Sequence, residues 1–263
     1  MKYAFLFFLL VNIGVNGQNS GPRLASMGSG GTAVTDIWAL QQNPAGIAEL
    51  KRPMLAVAYE KHFLDPEVST QCAVFILPYQ RNVIGISVEK YGFSEFKEQK
   101  VGIFYAKSFG DSFRLAIGLR YNQLNVSQYG SAKAFTIEMG FQLKINRDLT
   151  IASHIANPNQ SQYNNLPGSS LPVKLTVGGS YRFSDRLLMI ADVRKFLKYP
   201  MDGMTGMEYT FIKWFSLRGG VSMNPFKQYT GFGINYNQMQ LDVSVASHPN
   251  LGYSPQIAIG YVF

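Results

Sequence analysis

From residue 53 onward the sequence breaks into short stretches in which apolar and polar residues alternate, each closed by turn-forming residues. Successive side chains of an extended chain point to opposite faces, so each stretch presents one apolar and one polar face. In 215–223, Phe215, Leu217, Val221 and Met223 fall on one face and Ser216, Arg218, Gly220 and Ser222 on the other. In 113–121, Phe113, Leu115, Ile117, Leu119 and Tyr121 oppose Arg114, Ala116, Gly118 and Arg120. Segments 135–143, 173–181 and 239–245 behave alike. This reading gives about fourteen strands, near 53–61, 70–78, 82–91, 98–109, 113–124, 133–145, 149–156, 173–183, 187–195, 205–212, 215–223, 229–236, 239–246 and 255–263.

A soluble sandwich alternates too, with one face in the core and one in water. Here the polar face is poor in charge and rich in Gly and Ala, and the apolar faces end in aromatics: Tyr91, Phe109, Tyr121, Phe183, Tyr236 and Phe263. Charged residues are 15% of the chain, against about 25% in soluble domains. Beyond the leader no run approaches the roughly 20 apolar residues of a spanning helix. A chain that faces lipid without such helices must close its sheet, because hydrocarbon leaves open edges unsatisfied. The expected fold is all-β, a transmembrane antiparallel barrel. Turns after the even-numbered strands are tight, and the connections 62–69, 92–97, 125–132, 157–172, 196–204, 224–228 and 247–254 are longer. That sorting puts the tight turns and both ends of the barrel on the periplasmic side.

Residues 1–17 read as a secretory leader: Lys2, then an apolar core, then Val15-Asn16-Gly17, with cleavage expected near Gly17. With no Cys after it, a lipid anchor is not expected. Cys72 is the single cysteine, which rules out an internal disulfide framework. A net charge of +8 without a basic cluster points to no nucleic acid. No Gly-x-Ser-x-Gly or His-Glu-x-x-His pattern is present, and His62, His154 and His248 are too dispersed to suggest a metal site. No catalytic residues, cofactor or metal are expected.

Residues 18–50 do not alternate. Thr35 or Asp36 can cap a short helix running to Gln42, which Asn43-Pro44 ends, since the residue before proline avoids the helical region. Gly28-Ser29-Gly30-Gly31 lacks the preceding strand and the following Lys of a phosphate loop. The segment holds Arg23, Met27, Gly28 and Gly31, then Trp38-Ala39-Leu40 and Asn43-Pro44-Ala45-Gly46. It resembles the start of the FadL-like outer-membrane barrels, and within them the PorV/PorQ branch of Bacteroidetes. The resemblance covers about thirty residues. It implies a hatch (18–50) inside a fourteen-strand barrel (51–263), with Trp38, Asn43, Pro44, Ala45 and Gly46 as the hatch motif. The closing strand ends on Tyr261 and Phe263 and resembles the signal read by the barrel-assembly machinery.

Charges expected on lumen faces are Glu60, Glu89, Arg114, Arg120, Glu138, Lys174, Arg182, Asp192, Arg194, Glu208, Arg218 and Asp242. Ions of both signs in a confined lumen should pair, either as a network that holds the hatch or as a polar path. Gly178-Gly179 and Gly219-Gly220 mark either strand kinks or packing sites for the hatch. The expected setting is the bacterial outer membrane, in contact with its lipid. The resemblance implies an accessory role in type IX protein secretion, with translocon subunits or secreted cargo as partners. The alternatives are a FadL-like channel for small hydrophobic solutes and a purely structural barrel.

Overall fold

The computed structural model describes residues 20–164 and 169–263; the expected leader and its cleavage position lie outside the described residues. Fourteen antiparallel strands form one closed transmembrane barrel: β1 (Met54–Lys61), β2 (Ser69–Tyr79), β3 (Asn82–Gly92), β4 (Phe96–Phe109), β5 (Phe113–Val126), β6 (Gly130–Lys144), β7 (Leu149–Ala156), β8 (Lys174–Ser184), β9 (Leu187–Phe196), β10 (Met201–Ile212), β11 (Phe215–Met223), β12 (Phe226–Tyr236), β13 (Met239–His248) and β14 (Gly252–Val262). Each pairs with its sequence neighbours, and β1 closes on β14 from Met54↔Val262 to Glu60↔Gln256. The register shifts only at Arg182/Ser184 and Thr210/Ile212, beside tight turns at the rim, where bulges commonly sit.

Alternation sets which side of the wall each residue takes. Leu55, Val57, Ile84, Ile86, Val88, Ile117, Leu119, Val177 and Ile259 point outward and are exposed, while Ala56, Ala58, Val83, Ser87, Glu89, Ala116, Arg120, Thr176 and Ala258 point inward and are buried. An outer face of alkyl and aromatic groups is stable only against lipid. Phe109, Phe183, Tyr236 and Phe263 join the outward aromatics as expected. Tyr91 does not: on β3 it shares the inward parity of Ser87 and Glu89 and meets the His62 ring edge-on at 5.3 Å.

The long connections shorten. Segments 93–95, 127–129, 197–200, 224–225 and 249–251 are four residues or fewer, close to 80–81 and 110–112, so 62–68 and 157–173 are the connections that remain long. Strands β4, β6, β10, β12 and β14 begin earlier than alternation indicates, because pairing continues beyond the lipid belt, where no solvent asymmetry enforces a pattern. The 157–173 loop has a wall-building role. β7 stops opposite Glu138, so the upper part of β6 is paired with β5 on one side and has no strand on the other. Asn157 N–H donates to Ile137 O (2.8 Å), and Asn164 N–H to Lys133 O (2.9 Å). The Asn159 and Asn164 side chains accept from Ile137 N (3.1 Å) and Lys133 N (2.6 Å).

Residues 20–50 fill the lumen. Helix α1 (Gly21–Ser26) begins with Pro22 in its first turn, and a Gly-rich turn follows. Asp36 Oδ1 then accepts from Trp38 N (2.8 Å) at the entry to α2 (Ala39–Gln42). As expected, Asn43 is extended (φ −149°, ψ 103°) and ends the helix ahead of a 3-10 turn, Pro44–Ile47.

Candidate functional site

The site is the interface between this plug and the wall, and it has two unlike halves. On one side Leu24, Ile37, Leu40 and Ile47 of the plug pack on Ala56, Ala58, Val74, Ile76, Val83, Phe104 and Ala106. Small inward side chains on β1 and β2 leave room for the larger plug residues, and Gly85 of β3 lies directly under Leu40. Cys72 belongs to this half; it is buried and accepts from Gln41 Nε2 (3.0 Å).

The other half is ionic. Arg23 of α1 donates to Asp36 (2.6 Å) and to both oxygens of Glu208 (2.8 and 2.9 Å). Glu208 also accepts from Arg218 (2.6 Å), which reaches Asp242 (2.5 Å). Arg218 crosses the intervening strand β12 at Gly233, where any side chain would collide with the guanidinium and the Asp242 carboxylate. A second group joins Glu98, Lys100 and Glu89 (3.2 and 3.1 Å), and beside it Arg120, Glu138 and His154 (2.7 and 3.2 Å). Arg120 also donates to Gln41 Oε1 of the plug (3.0 Å). Arg114 pairs with Glu49 of the plug and donates to Gln142 (3.1 Å). Charges this far from water are tolerable only when paired, and removing one partner typically costs about 3–5 kcal/mol.

The Gly-rich turn holds an anion, but an internal one. Asp192 of β9 accepts from Gly31 N (2.7 Å), Thr32 N (2.9 Å) and Thr32 Oγ1 (2.8 Å). Successive backbone N–H groups form such a concavity for a carboxylate as readily as for a phosphate. Arg194 secures the same turn by donating to Ser29 O (2.7 Å).

The hatch motif is the second clasp. Asn43 is fully buried. Its Nδ2 donates to Thr32 O (2.8 Å) and Phe141 O (3.0 Å), and its Oδ1 accepts from Ala45 N (3.1 Å). The side chain thus ties the plug to itself and to β6, and Gly140 is the socket, since a Cβ there would meet Asn43 Oδ1, Ala45 N and Pro44 Cδ. Pro44, Ala45 and Gly46 are buried in the 3-10 turn, and Gly46 lies against Val34 O and Ala39. Trp38 is buried over Gly21.

Of the charges expected in the lumen, Glu89, Arg114, Arg120, Glu138, Lys174, Asp192, Glu208, Arg218 and Asp242 are buried there. Glu60 and Arg194 are half-buried at the loop end; Glu60 lies 3.6 Å from His62. Arg182 is a correction. It has inward parity on β8 but is exposed, because it sits at the bulge beside the tight turn, past the end of the plug. Sequence reasoning missed Lys100, Glu98 and His154 on the wall, and Arg23, Asp36 and Glu49 on the plug. His62 and His248 are closer than their sequence separation suggested, flanking Phe63 at 6.1 and 6.0 Å. Among the described residues no three His, Cys, Asp or Glu side chains converge on a metal position.

The ladder runs unbroken through the two glycine pairs, so neither is a kink. Gly220 and Gly206 face each other on β11 and β10 and form a notch for Met27 and Gly28 of the plug. Gly178 makes room for Asp192, while Gly179 and Gly219 face outward, where a Cβ would meet only a backbone carbonyl at ordinary contact distance (3.5 and 3.8 Å). An apolar concavity of about 490 Å³ lies on the outside of the wall between β4 and β8, over the Asn43 socket.

Compared with known proteins, the sequence matches no family model and no curated protein. Its fold matches solved channels over nearly the whole chain. The Ralstonia pickettii toluene transporter TbuX superposes with a TM-score of 0.70 at 14% identity, covering 94% of this chain and 99% of that one. The Pseudomonas putida toluene transporter TodX gives 0.67 at 11%, covering 92% and 96%. A Pseudomonas aeruginosa FadL homologue gives 0.65 at 10%, covering 92% and 98%. The likeness is one of fold, that of the FadL-like barrels.

Proposed function

We propose that this chain is a bacterial outer-membrane channel for small hydrophobic solutes, held shut by its own N-terminal plug, with no catalytic activity. The observation that carries the reading is the divided lumen. A pore for polar solutes has no use for a wall of Ala, Val and Ile along half its interior, whereas a hydrophobic solute needs such a surface. The ionic half supplies the seat that holds the plug in its closed position, with Arg23 on Glu208 and the Gly-rich turn on Asp192. The neighbours in fold include transporters of toluene, which suits the same solute class.

The test is uptake of a radiolabelled monoaromatic compound by cells that express the barrel and lack their own hydrophobic-solute channels. Expected is uptake above cells without the barrel, rising in an Asn43→Ala variant. Uptake equal to the empty control in both would overturn the proposal. The PorV/PorQ resemblance rests on about thirty residues, and the neighbours reported above include no secretion component. A pull-down in mild detergent separates the readings: recovery of type IX translocon subunits or secreted cargo would replace the channel proposal with the accessory one.

A further inference from the structure

The concavity on the outer wall has features that the channel reading does not use. Its sides are Leu115, Ile117, Met139, Phe141, Ile155 and Leu175, all outward. Its floor is opened by Ser153, the one small outward residue of β7, which lies between Phe141 and Val177 in register. The wall behind it is drawn onto the plug at Gly140, where Asn43 reaches through to Phe141 O. A flat lipid-facing wall has no such recess. Its volume of about 490 Å³ lies within the roughly 300–1,000 Å³ of small-molecule sites.

One end of the recess is charged. Lys107 lines it, opposite Leu115 on β5, with its ammonium 5.3 Å from the Phe109 ring. Phe109, Phe113 and Phe141 are in contact here (5.7 and 5.4 Å), an aromatic cluster of the kind found at headgroup level. The apolar recess therefore runs from the hydrocarbon belt to a cation at the interface. This is the tight-turn end, which is periplasmic in barrels of this build.

We infer that the outer wall between β4 and β8 is a binding site for one anionic phospholipid, with an acyl chain in the recess over Ser153 and its phosphate on Lys107. The inference does not rest on solute transport and requires only that the barrel spans a bilayer. Charge complementarity selects the occupant: a free hydrophobic solute would fill the recess but leave Lys107 without its counter-ion.

The test uses the full chain in vesicles of phosphatidylethanolamine and phosphatidylglycerol, extracted in mild detergent and weighed by native mass spectrometry. Expected is retention of one phosphatidylglycerol. Retention should fall at least fivefold in Ser153→Trp and Ser153→Leu, which fill the recess, but not in Val57→Trp on the opposite wall. Lys107→Gln should keep a lipid but lose the preference for phosphatidylglycerol over phosphatidylethanolamine. Heat-modified mobility on gels confirms that each variant is a folded barrel; if Ser153→Trp does not fold, Ser153→Leu carries the test. Equal retention in folded recess-filling variants and wild type, or unchanged headgroup preference in Lys107→Gln, would overturn the assignment. Loss of lipid with monoaromatic uptake unchanged supports it and leaves the channel proposal intact.

Discussion

Asn43→Ala is the sharpest probe of what holds the plug in place. The side chain makes three hydrogen bonds while fully buried, two from Nδ2 to Thr32 O and Phe141 O and one from Ala45 N to Oδ1. The losses are unequal. Thr32 O keeps the donor Gln142 Nε2 at 3.0 Å, and Phe141 O stays in the β6 ladder, but Ala45 N–H loses the partner that Asn43 supplies. A hydrogen bond contributes about 0.5–1.5 kcal/mol net, and a stranded buried donor costs about 1–3 kcal/mol. The sum, about 3–4 kcal/mol, is a shift of two to three decades in the ratio of docked to undocked plug. The barrel ladder makes no use of this side chain, so the cost falls on docking.

Tryptic cleavage after Arg23 reads that ratio, because in the docked state Arg23 is paired with Asp36 and Glu208 inside the lumen. While opening and closing are fast relative to cleavage, the cleavage rate follows the open population. Expected is a rise of about 100- to 1,000-fold for Asn43→Ala, with single-channel openings in planar bilayers to match. Asn43→Asp should be worse, because it keeps the acceptor for Ala45 N but turns a carboxylate toward two carbonyls. Asn146→Ala is the control. Asn146 caps Asp148 N and Leu149 N with the same chemistry outside the lumen and should leave cleavage unchanged. Wild-type protection of Asn43→Ala would refute the idea that the motif is a clasp.

Gly220→Val should expel the plug, since its side chain would occupy the space of Met27 and Gly28, whereas Gly219→Val, facing outward, should be silent; bilayer conductance distinguishes them. Arg218→Met strands Asp242, while Glu208 keeps Arg23, and should lower stability to urea by about 3–5 kcal/mol. Adding Asp242→Leu should recover part of that loss. His62, in the loop after β1, is held to about pKa 4 by burial and by Lys227. Because its folded value lies below the unfolded one of about 6.5, the unfolded loop binds the extra proton between these values. The loop is therefore at full stability above about pH 6.5 and loses it as pH falls toward 4. Amide protection factors across 62–68, which remove the intrinsic pH dependence of exchange, should fall in that window and become flat with pH in His62→Gln.

The barrel was legible because lipid imposes a strict rule on one face. Leu55, Val57, Ile84, Ile86, Leu115 and Ile117 could not be replaced by polar groups without cost, so their parity is written plainly. Parity failed where that rule relaxes. β4 carries Ile103 and Tyr105 outward but Phe104 inward, so its faces look alike in sequence, and Lys100 and Glu98 were missed with it. At the loop end, pairing outlasts alternation, and five connections came out shorter than expected.

The plug was legible as a segment but not as a set of contacts, and the reason is physical. Its composition shows that it is not a strand, and Asn43-Pro44 shows where its helix must stop. Its partners, though, are chosen by which wall positions face it, and those are far away in sequence: Glu208 for Arg23, Asp192 for the Gly-rich turn, Gly140 for Asn43. Half of each pairing could still be read. An inward acid in a lumen this far from water needs a counter-charge or a cluster of N–H groups, since an unpaired charge there is costly. Asp192 had Arg194 on its own strand, yet the Gly-rich turn took it. A glycine-rich turn in a confined lumen thus has the same preference as one at a phosphate site; the anion here is supplied by the wall.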